Sequence, residues 1–142
     1  MVHWADQEVR RFRGALFLRK TLASHDRRQV IPWPDERPLA LPAGIGQLRL
    51  EPAVQGIAAE QWRSARVEVR FRQGGERCLP AGSDHHRTLK NLLHDWAIPT
   101  WERDRIPLIY LDGQLAAIPG RLLCEPFKAA VGEAAVLPCW IS

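Results

Sequence analysis

The chain has 142 residues, 46% of them hydrophobic, and a net charge of +4 at pH 7. This length suits one ordinary domain or two small ones, and the apolar content excludes a chain that is disordered throughout. No apolar run approaches the roughly 18 to 20 residues that span a bilayer. The first residues lack the pattern of a secretory signal. We therefore expect a cytoplasmic protein without membrane contact.

The basic residues are 17 Arg and 3 Lys. Arginine suits phosphate groups, because its planar guanidinium donates two parallel hydrogen bonds. A bias in genomic base composition explains the arginine excess equally well. The charge balance by itself therefore permits nucleic-acid binding without indicating it.

The first half of the chain reads as short strands interrupted by prolines. Glu8 to Phe12 and Ala15 to Leu18 flank Arg13-Gly14 and predict a hairpin. Four prolines between Val30 and Pro42 rule out a long helix there. Alternation at Leu48 to Leu50 predicts a further short strand.

A boundary between two small units is expected near residues 52–64. After it, Val67, Val69 and Phe71 alternate with charged residues, which is typical of a strand with one buried face. Gly74-Gly75 predicts a tight turn, and Glu76 to Leu79 a second strand that returns beside the first.

The clearest helix follows. Ser83 or Asp84 is the predicted N-cap, because either side chain can accept a backbone N–H. Four apolar residues at helical spacing predict the buried stripe: Leu89, Leu92, Leu93 and Trp96. A polar and basic stripe is expected nearly opposite, on Arg87, Lys90, Asn91 and His94. The alternative is that this stripe is simply a solvated helix face.

The last third predicts a short helical turn at Thr100 to Asp104 and a strand–turn–strand hairpin from Leu108 to Ile118. Val136 to Ile141 predicts a final strand. The fold class we predict is α+β. It comprises two small units, in which proline-punctuated short strands precede a small mixed sheet with one amphipathic helix.

The sequence contains no recognisable catalytic, phosphate-binding or metal-binding motif. Glycine-rich phosphate loops, a nucleophile elbow and the HExxH zinc motif are all absent, so we assign no catalytic or cofactor-binding residue. The three cysteines have no CxxC spacing. Adjacent His85 and His86 cannot point the same way on a helix, so no metal site is predicted. Reduced, partly buried thiols are expected.

Four blocks of the second half carry a family resemblance: residues 69–77, 80–82, 86–93 and 99–108. In order and spacing they resemble the C-terminal domain of tRNA(Ile)-lysidine synthetase. The resemblance is strong over about residues 65–120 and weaker at 8–18 and 38–44. The chain departs from the family at Ser83, where a basic residue is frequent, and at Thr100, where a second proline is frequent.

That family uses ATP to join lysine to the wobble cytidine of a tRNA, and its C-terminal domains are implicated in gripping the acceptor stem. The resemblance implies that residues 1–61 are the tail of a linking, substrate-binding domain and that residues 62–142 dock tRNA(Ile). It also implies that ATP belongs to an N-terminal catalytic domain absent from this sequence. The chain alone is not expected to be active.

On the basis of the resemblance, six residues are the candidate RNA contacts: Arg70, Arg72, Arg87, Lys90, Arg103 and Arg105. The acceptor stem would be held chiefly by its shape and its phosphates. A different interpretation applies to Trp101 to Arg105, where the charges could form a structural ion network around a buried tryptophan.

The alternative function is a protein-interaction or dimerisation module that binds no RNA. Its basis is six tryptophans, a residue enriched at interface hot spots. Trp33, Trp62 and Trp140 have no clear place in a core by sequence pattern. A homodimer is therefore a possible assembly on this interpretation.

Overall fold

A computed structural model describes residues 26–141 together with the backbone of three strands before them. These strands are β1 (His3–Trp4), β2 (Gln7–Phe12) and β3 (Ala15–Lys20), in one antiparallel sheet. β2 pairs with β3 from Gln7 opposite Lys20 to Phe12 opposite Ala15. The predicted pairing of these two strands is confirmed, while their turn lies outside the described residues.

The rest of the chain adds eleven short strands and three short helices to the described part. The strands are β4 (Ile31–Pro32), β5 (Leu39–Leu41), β6 (Gly46–Ala53), β7 (Ile57–Ala58), β8 (Val67–Arg70), β9 (Arg77–Cys78), β10 (Arg87–Thr88), β11 (Leu108–Leu111), β12 (Gln114–Ile118), β13 (Leu122–Leu123) and β14 (Ala135–Ile141). The helices are α1 (Ala59–Ser64), α2 (Leu89–Asp95) and a 3-10 helix (Thr100–Arg105).

These strands form three sheets. A five-stranded sheet has the order β13-β12-β11-β8-β4, a four-stranded sheet has the order β5-β6-β14-β7, and β9 and β10 form a two-stranded ribbon. The α+β class, with several sheets and few helices, is confirmed. We predicted a mixed sheet, but each pairing in the described residues is antiparallel.

One face of the five-stranded sheet packs in a hydrophobic core shared with the four-stranded sheet. Val67, Val69 and Phe71 lie in this core, as their alternation predicted, and Leu48 of β6 belongs to the same cluster. Such burial is the main favourable term in folding. The apolar face of β8 is thus held in place by packing in this core.

The opposite face of the five-stranded sheet is covered by α2. Leu89, Leu92 and Leu93 of the predicted apolar stripe are buried there, against Leu108 and Ile118 of the sheet. The helical spacing brings these leucines to one side of a seven-residue helix. Its other side is left to solvent.

Strands from both sides of the predicted boundary at residues 61 and 62 share sheets. β4 pairs with β8, and β6 pairs with β14 along its length, from Gln47 opposite Ile141 to Ala53 opposite Ala135. Residues 31–58 therefore pack in one structure with the residues that follow.

The hairpin predicted across Gly74-Gly75 is wrong. β8 pairs with β11 and β4, whereas β9 pairs with β10 through Arg87 opposite Cys78. Both glycines have positive φ, 109° and 82°, so the local turn signal was sound. The side chains of β8 are buried by residues distant in sequence, and this long-range burial decides the partner of the strand.

The predicted N-cap of α2 is also wrong. Thr88 occupies that position, and its hydroxyl oxygen accepts a hydrogen bond of 3.2 Å from the backbone N–H of Asn91. Ser83 instead bonds within its own loop, to His85. Arg87 consequently lies on β10, just before the helix, and not on its polar stripe.

The tryptophans that had no clear place by sequence pattern are largely internal. Trp33 and Trp62 are 1% and 3% exposed and meet edge to face, with ring centroids 5.2 Å apart. Trp140 is half-buried and donates its indole N–H to the Ile45 carbonyl. These side chains stabilise the core, so they no longer support the interaction-module alternative.

Candidate nucleic-acid interface

The solvent side of α2 carries four polar side chains, those of Lys90, Asn91, His94 and the acidic Asp95. Lys90, Asn91 and His94 are all exposed, opposite the buried leucines. No ion pair to Lys90 occurs within residues 26–141. An ammonium group in this position is available to an incoming anion.

Arg87 belongs to β10, but its side chain reaches the exposed side of α2. Its Nη2 donates to Oδ2 of Asp95, in the last turn of α2, at 2.5 Å, and its side chain is 40% exposed. One guanidinium has five N–H donors, so several remain for a further acceptor. We call Arg87, Lys90, Asn91 and His94 the α2 surface.

Arg70 is engaged inside the protein. Its Nη2 donates to Oε1 of Glu68 at 2.8 Å, and its guanidinium lies over the Tyr110 ring, 4.6 Å from the centroid. Its Nε is buried without a hydrogen-bond partner. Glu68 also faces Arg66 at 3.7 Å. The guanidinium groups of Arg66 and Arg70 therefore share the carboxylate of Glu68, which lies between them in the sequence.

Arg72 has an acidic partner on the 3-10 helix. Its Nε donates to Oδ1 of Asp104 at 3.2 Å, and Arg27 approaches the same oxygen at 3.8 Å. The Arg72 side chain is 26% exposed. This contact links the end of β8 to the 3-10 helix.

Arg103 and Arg105 are half-buried on the 3-10 helix and contact backbone carbonyls. The Nε of Arg103 donates to the Ile98 carbonyl at 3.0 Å, and Nη2 of Arg105 donates to the carbonyl of Ala43. Arg105 thereby joins segments 62 residues apart in sequence. The contacts fit the structural interpretation of this charged stretch.

Two exposed arginines near helix α2 were missed by the sequence analysis. Arg121 lies over the Trp96 ring at the end of α2, 5.4 Å from the ring centroid. Arg77 lies on β9, directly opposite Thr88, the residue that caps α2. Both positions depend on pairing between distant segments. The half-buried Trp96 was the one local signal, because a tryptophan at a helix end can stack with a cation.

Cys78 and Cys124 form a thiol pair beneath α2. Both are free and buried. Their mutual hydrogen bond lowers the pKa of the Cys78 thiol, whereas that bond and burial raise the pKa of Cys124. Across the described residues, no group of three or more His, Cys, Asp or Glu could hold a metal ion. No helix in the described part is long and apolar enough to cross a membrane.

The comparisons with known proteins agree on one family. The family model described as the TilS substrate C-terminal domain matches residues 67–140. A tRNA(Ile)-lysidine synthase of Coxiella burnetii is 43% identical over 86% of this chain and 27% of its own length. That of Methylococcus capsulatus is 38% identical over 99% of this chain and 32% of its own length. The chain thus spans about a quarter to a third of these relatives.

A solved structure supports the fold. A crystal structure described as the TILS C-terminal domain aligns with a TM-score of 0.64 and 22% identity, covering 80% of this chain and 98% of that one. The family model covers more than half of the present sequence. The chain therefore belongs to the TilS substrate C-terminal domain family, the C-terminal domain of tRNA(Ile)-lysidine synthase, as its sequence blocks indicated.

Proposed function

We propose that this chain binds tRNA(Ile) and docks its acceptor stem on the α2 surface. The observation that carries the proposal is the exposed polar side of α2, with Lys90 accessible and Arg87 beside it. The relatives are tRNA(Ile)-lysidine synthases, which is the basis for choosing tRNA(Ile) as the RNA. Cations on a rigid element suit a duplex, because most contacts to its backbone are made to phosphates.

The rigidity of the α2 surface also supports the proposal. Three buried leucines hold the helix against the sheet, and Thr88 caps its first turn. Side chains presented by a packed helix hold their positions more precisely than side chains on a loop. The other candidate arginines, at positions 70, 72, 103 and 105, are placed second, because each has a contact within the protein and none lies beside the exposed Lys90.

The proposal includes a division of labour within the longer relatives. We attribute ATP binding, the ligation of lysine to the wobble cytidine and the catalytic residues to sequence outside this chain. The absence of any phosphate-binding loop in the 142 residues supports that attribution. The N-terminal catalytic domain is then the covalent partner of this one.

The test is binding to tRNA(Ile) and to an acceptor-stem minihelix across a salt series. Changing Arg87 and Lys90 to Ala should weaken binding of both RNAs about tenfold at low salt and flatten the salt dependence, because two cations leave the interface. The matched control changes Arg49 and Lys128, two exposed basic residues of other elements, to Ala. The same loss in the control, or none in the α2 variant, would contradict docking on this surface.

A further inference from the structure

A groove of about 530 Å³ opens beside strand β9. Arg77 and Cys78 of β9 line one side, and Tyr110 and Gln114 of the β11–β12 hairpin line the other; Glu125 and Phe127 also contribute. The volume lies within the range of pockets that hold small organic ligands. The lining mixes aromatic, basic and amide groups.

Tyr110 supplies a polarised aromatic ring. The guanidinium of Arg70 lies over this ring, 4.6 Å from its centroid, so a positive charge adjoins the aromatic group that lines the groove. Burial raises the pKa of the Tyr110 hydroxyl, which remains a hydrogen-bond donor at neutral pH. A planar, electron-rich heterocycle is the ligand class that such a ring accepts by stacking.

The polar groups of the groove suit the edge and the phosphate of a nucleotide. Arg77 and His86 are exposed on its rim, and no acidic partner of Arg77 occurs within residues 26–141. Gln114 offers an amide that both donates and accepts. The carboxylate of Glu125 accepts a bond of 3.3 Å from the Gly82 backbone N–H, and its second oxygen can accept from an exocyclic amine.

The β9–β10 ribbon connects the groove to the start of α2. Arg77 pairs with Thr88, and Thr88 is the N-cap of α2. A nucleic acid that lies along α2 would therefore reach the rim of the groove at Arg77. A base inside the duplex cannot enter it, because its pairing edge and both faces are covered by neighbouring bases.

We propose that this groove binds one unpaired nucleotide at the 3′ end of the docked acceptor stem, with the base against Tyr110 and its phosphate at Arg77. This inference rests on the proposed function, since it extends the same RNA-binding surface. A groove of this kind would recognise where the duplex ends, and the α2 surface would hold the duplex itself.

The experiment compares a minihelix that carries four unpaired 3′ nucleotides with the same duplex made blunt. Removing the tail should weaken binding to the chain about tenfold, the magnitude of one stacked base. In a variant with Arg77→Ala and Gln114→Ala, both exposed positions, the two RNAs should bind equally within about twofold. A control with Arg49→Ala and Gln55→Ala should keep the full difference.

The outcomes separate the two proposals. If the chain binds both RNAs with equal affinity, or if the Arg77 and Gln114 variant keeps the tail effect, the groove proposal is overturned while stem docking stands. If neither RNA binds at low salt, both proposals are overturned. A tail effect that survives in the control and disappears in the groove variant supports the assignment.

Discussion

The α2 surface and the arginines in and next to β8 are both basic patterns in the sequence, yet their contacts in the structure differ. Arg66 and Arg70 share Glu68, and Arg72 meets Asp104. On the α2 surface, Arg87 meets Asp95, while Lys90 has no acidic partner within residues 26–141. Arg70 and Arg72 are therefore largely engaged in contacts that hold the fold, whereas Lys90 is directed to solvent.

The difference arises from what each element packs against. The charged side of β8 faces the half of the molecule that carries α2 and Tyr110, so Arg70 is partly buried and requires an acceptor. Arg72, just beyond the strand, is also partly buried, whereas Arg66 is 72% exposed. The polar side of α2 has no element over it within the described residues. Basic residues therefore indicate an RNA contact only after their burial and partners are known.

The largest effect expected from this comparison is on stability. Glu68→Ala should lower the free energy of unfolding by about 2 kcal/mol, because it removes the acceptor of a charge-assisted hydrogen bond from Arg70, whose Nε is already without a partner. Urea denaturation measures this loss. Glu60→Ala, at an exposed position on α1, should change stability by less than about 0.5 kcal/mol. Equal stability of the two variants would show that the β8 arginines do not need their carboxylate.

A smaller effect is expected in the opposite direction at the α2 surface. Asp95→Asn should increase the affinity for the minihelix about threefold, because it removes a negative charge near the phosphates and releases Arg87. Titration at low salt measures the change. Asp35→Asn, at an exposed carboxylate that faces Arg37, is the matched control and should leave affinity unchanged. A weaker minihelix complex in the Asp95 variant would mean that the Arg87–Asp95 pair is itself the binding unit.

The smallest effect concerns Tyr110, the one tyrosine in the sequence. Burial raises the pKa of its hydroxyl above the ordinary 10.0, so the native state favours the protonated form. The resulting stability is complete below the unfolded pKa and is lost as pH rises through the folded pKa. Phenolate absorbance should therefore appear at higher pH in the native chain than in the denatured chain. Coincident titration curves would contradict burial of this ring.

Tyr110→Phe provides the corresponding stability measurement. Above about pH 10, the loss of stability should be smaller in this variant than in the unaltered chain, because no hydroxyl remains to ionise. Near neutral pH the two chains should differ little from this cause. A parallel decline of both with pH would assign the alkaline loss to other groups.

Local patterns in the sequence predicted the elements with one buried face. The leucines of α2, the alternation of β8 and the hairpin of β11 and β12 were read correctly, because each pattern reflects burial on a single side. The partner of β8, the cap at Thr88 and the internal Trp33–Trp62 pair were missed. The partner of β8 and the tryptophan pair depend on segments far apart in the chain, about which a local window contains no information. The cap is a local contact, three residues from Asn91, and it was missed because Ser83 and Asp84 are also favourable cap residues.

In the candidate site, too, some features could be predicted from local sequence and others could not. The position of Lys90 on an exposed helix side was predictable from spacing alone. The acidic partners of Arg70 and Arg72 were not, since Asp104 lies 32 residues from Arg72. Arg77 and Arg121 reach the neighbourhood of α2 through the β9–β10 ribbon and the Trp96 ring.

The most direct test of the account is the salt dependence of minihelix affinity for two single variants. Lys90→Ala should reduce the slope of log affinity against log salt by about one, because one phosphate contact is lost. Arg72→Ala should leave that slope unchanged and lower thermal stability instead, because its guanidinium serves Asp104. A reduced slope in the Arg72 variant together with an unchanged slope in the Lys90 variant would contradict docking through the α2 surface.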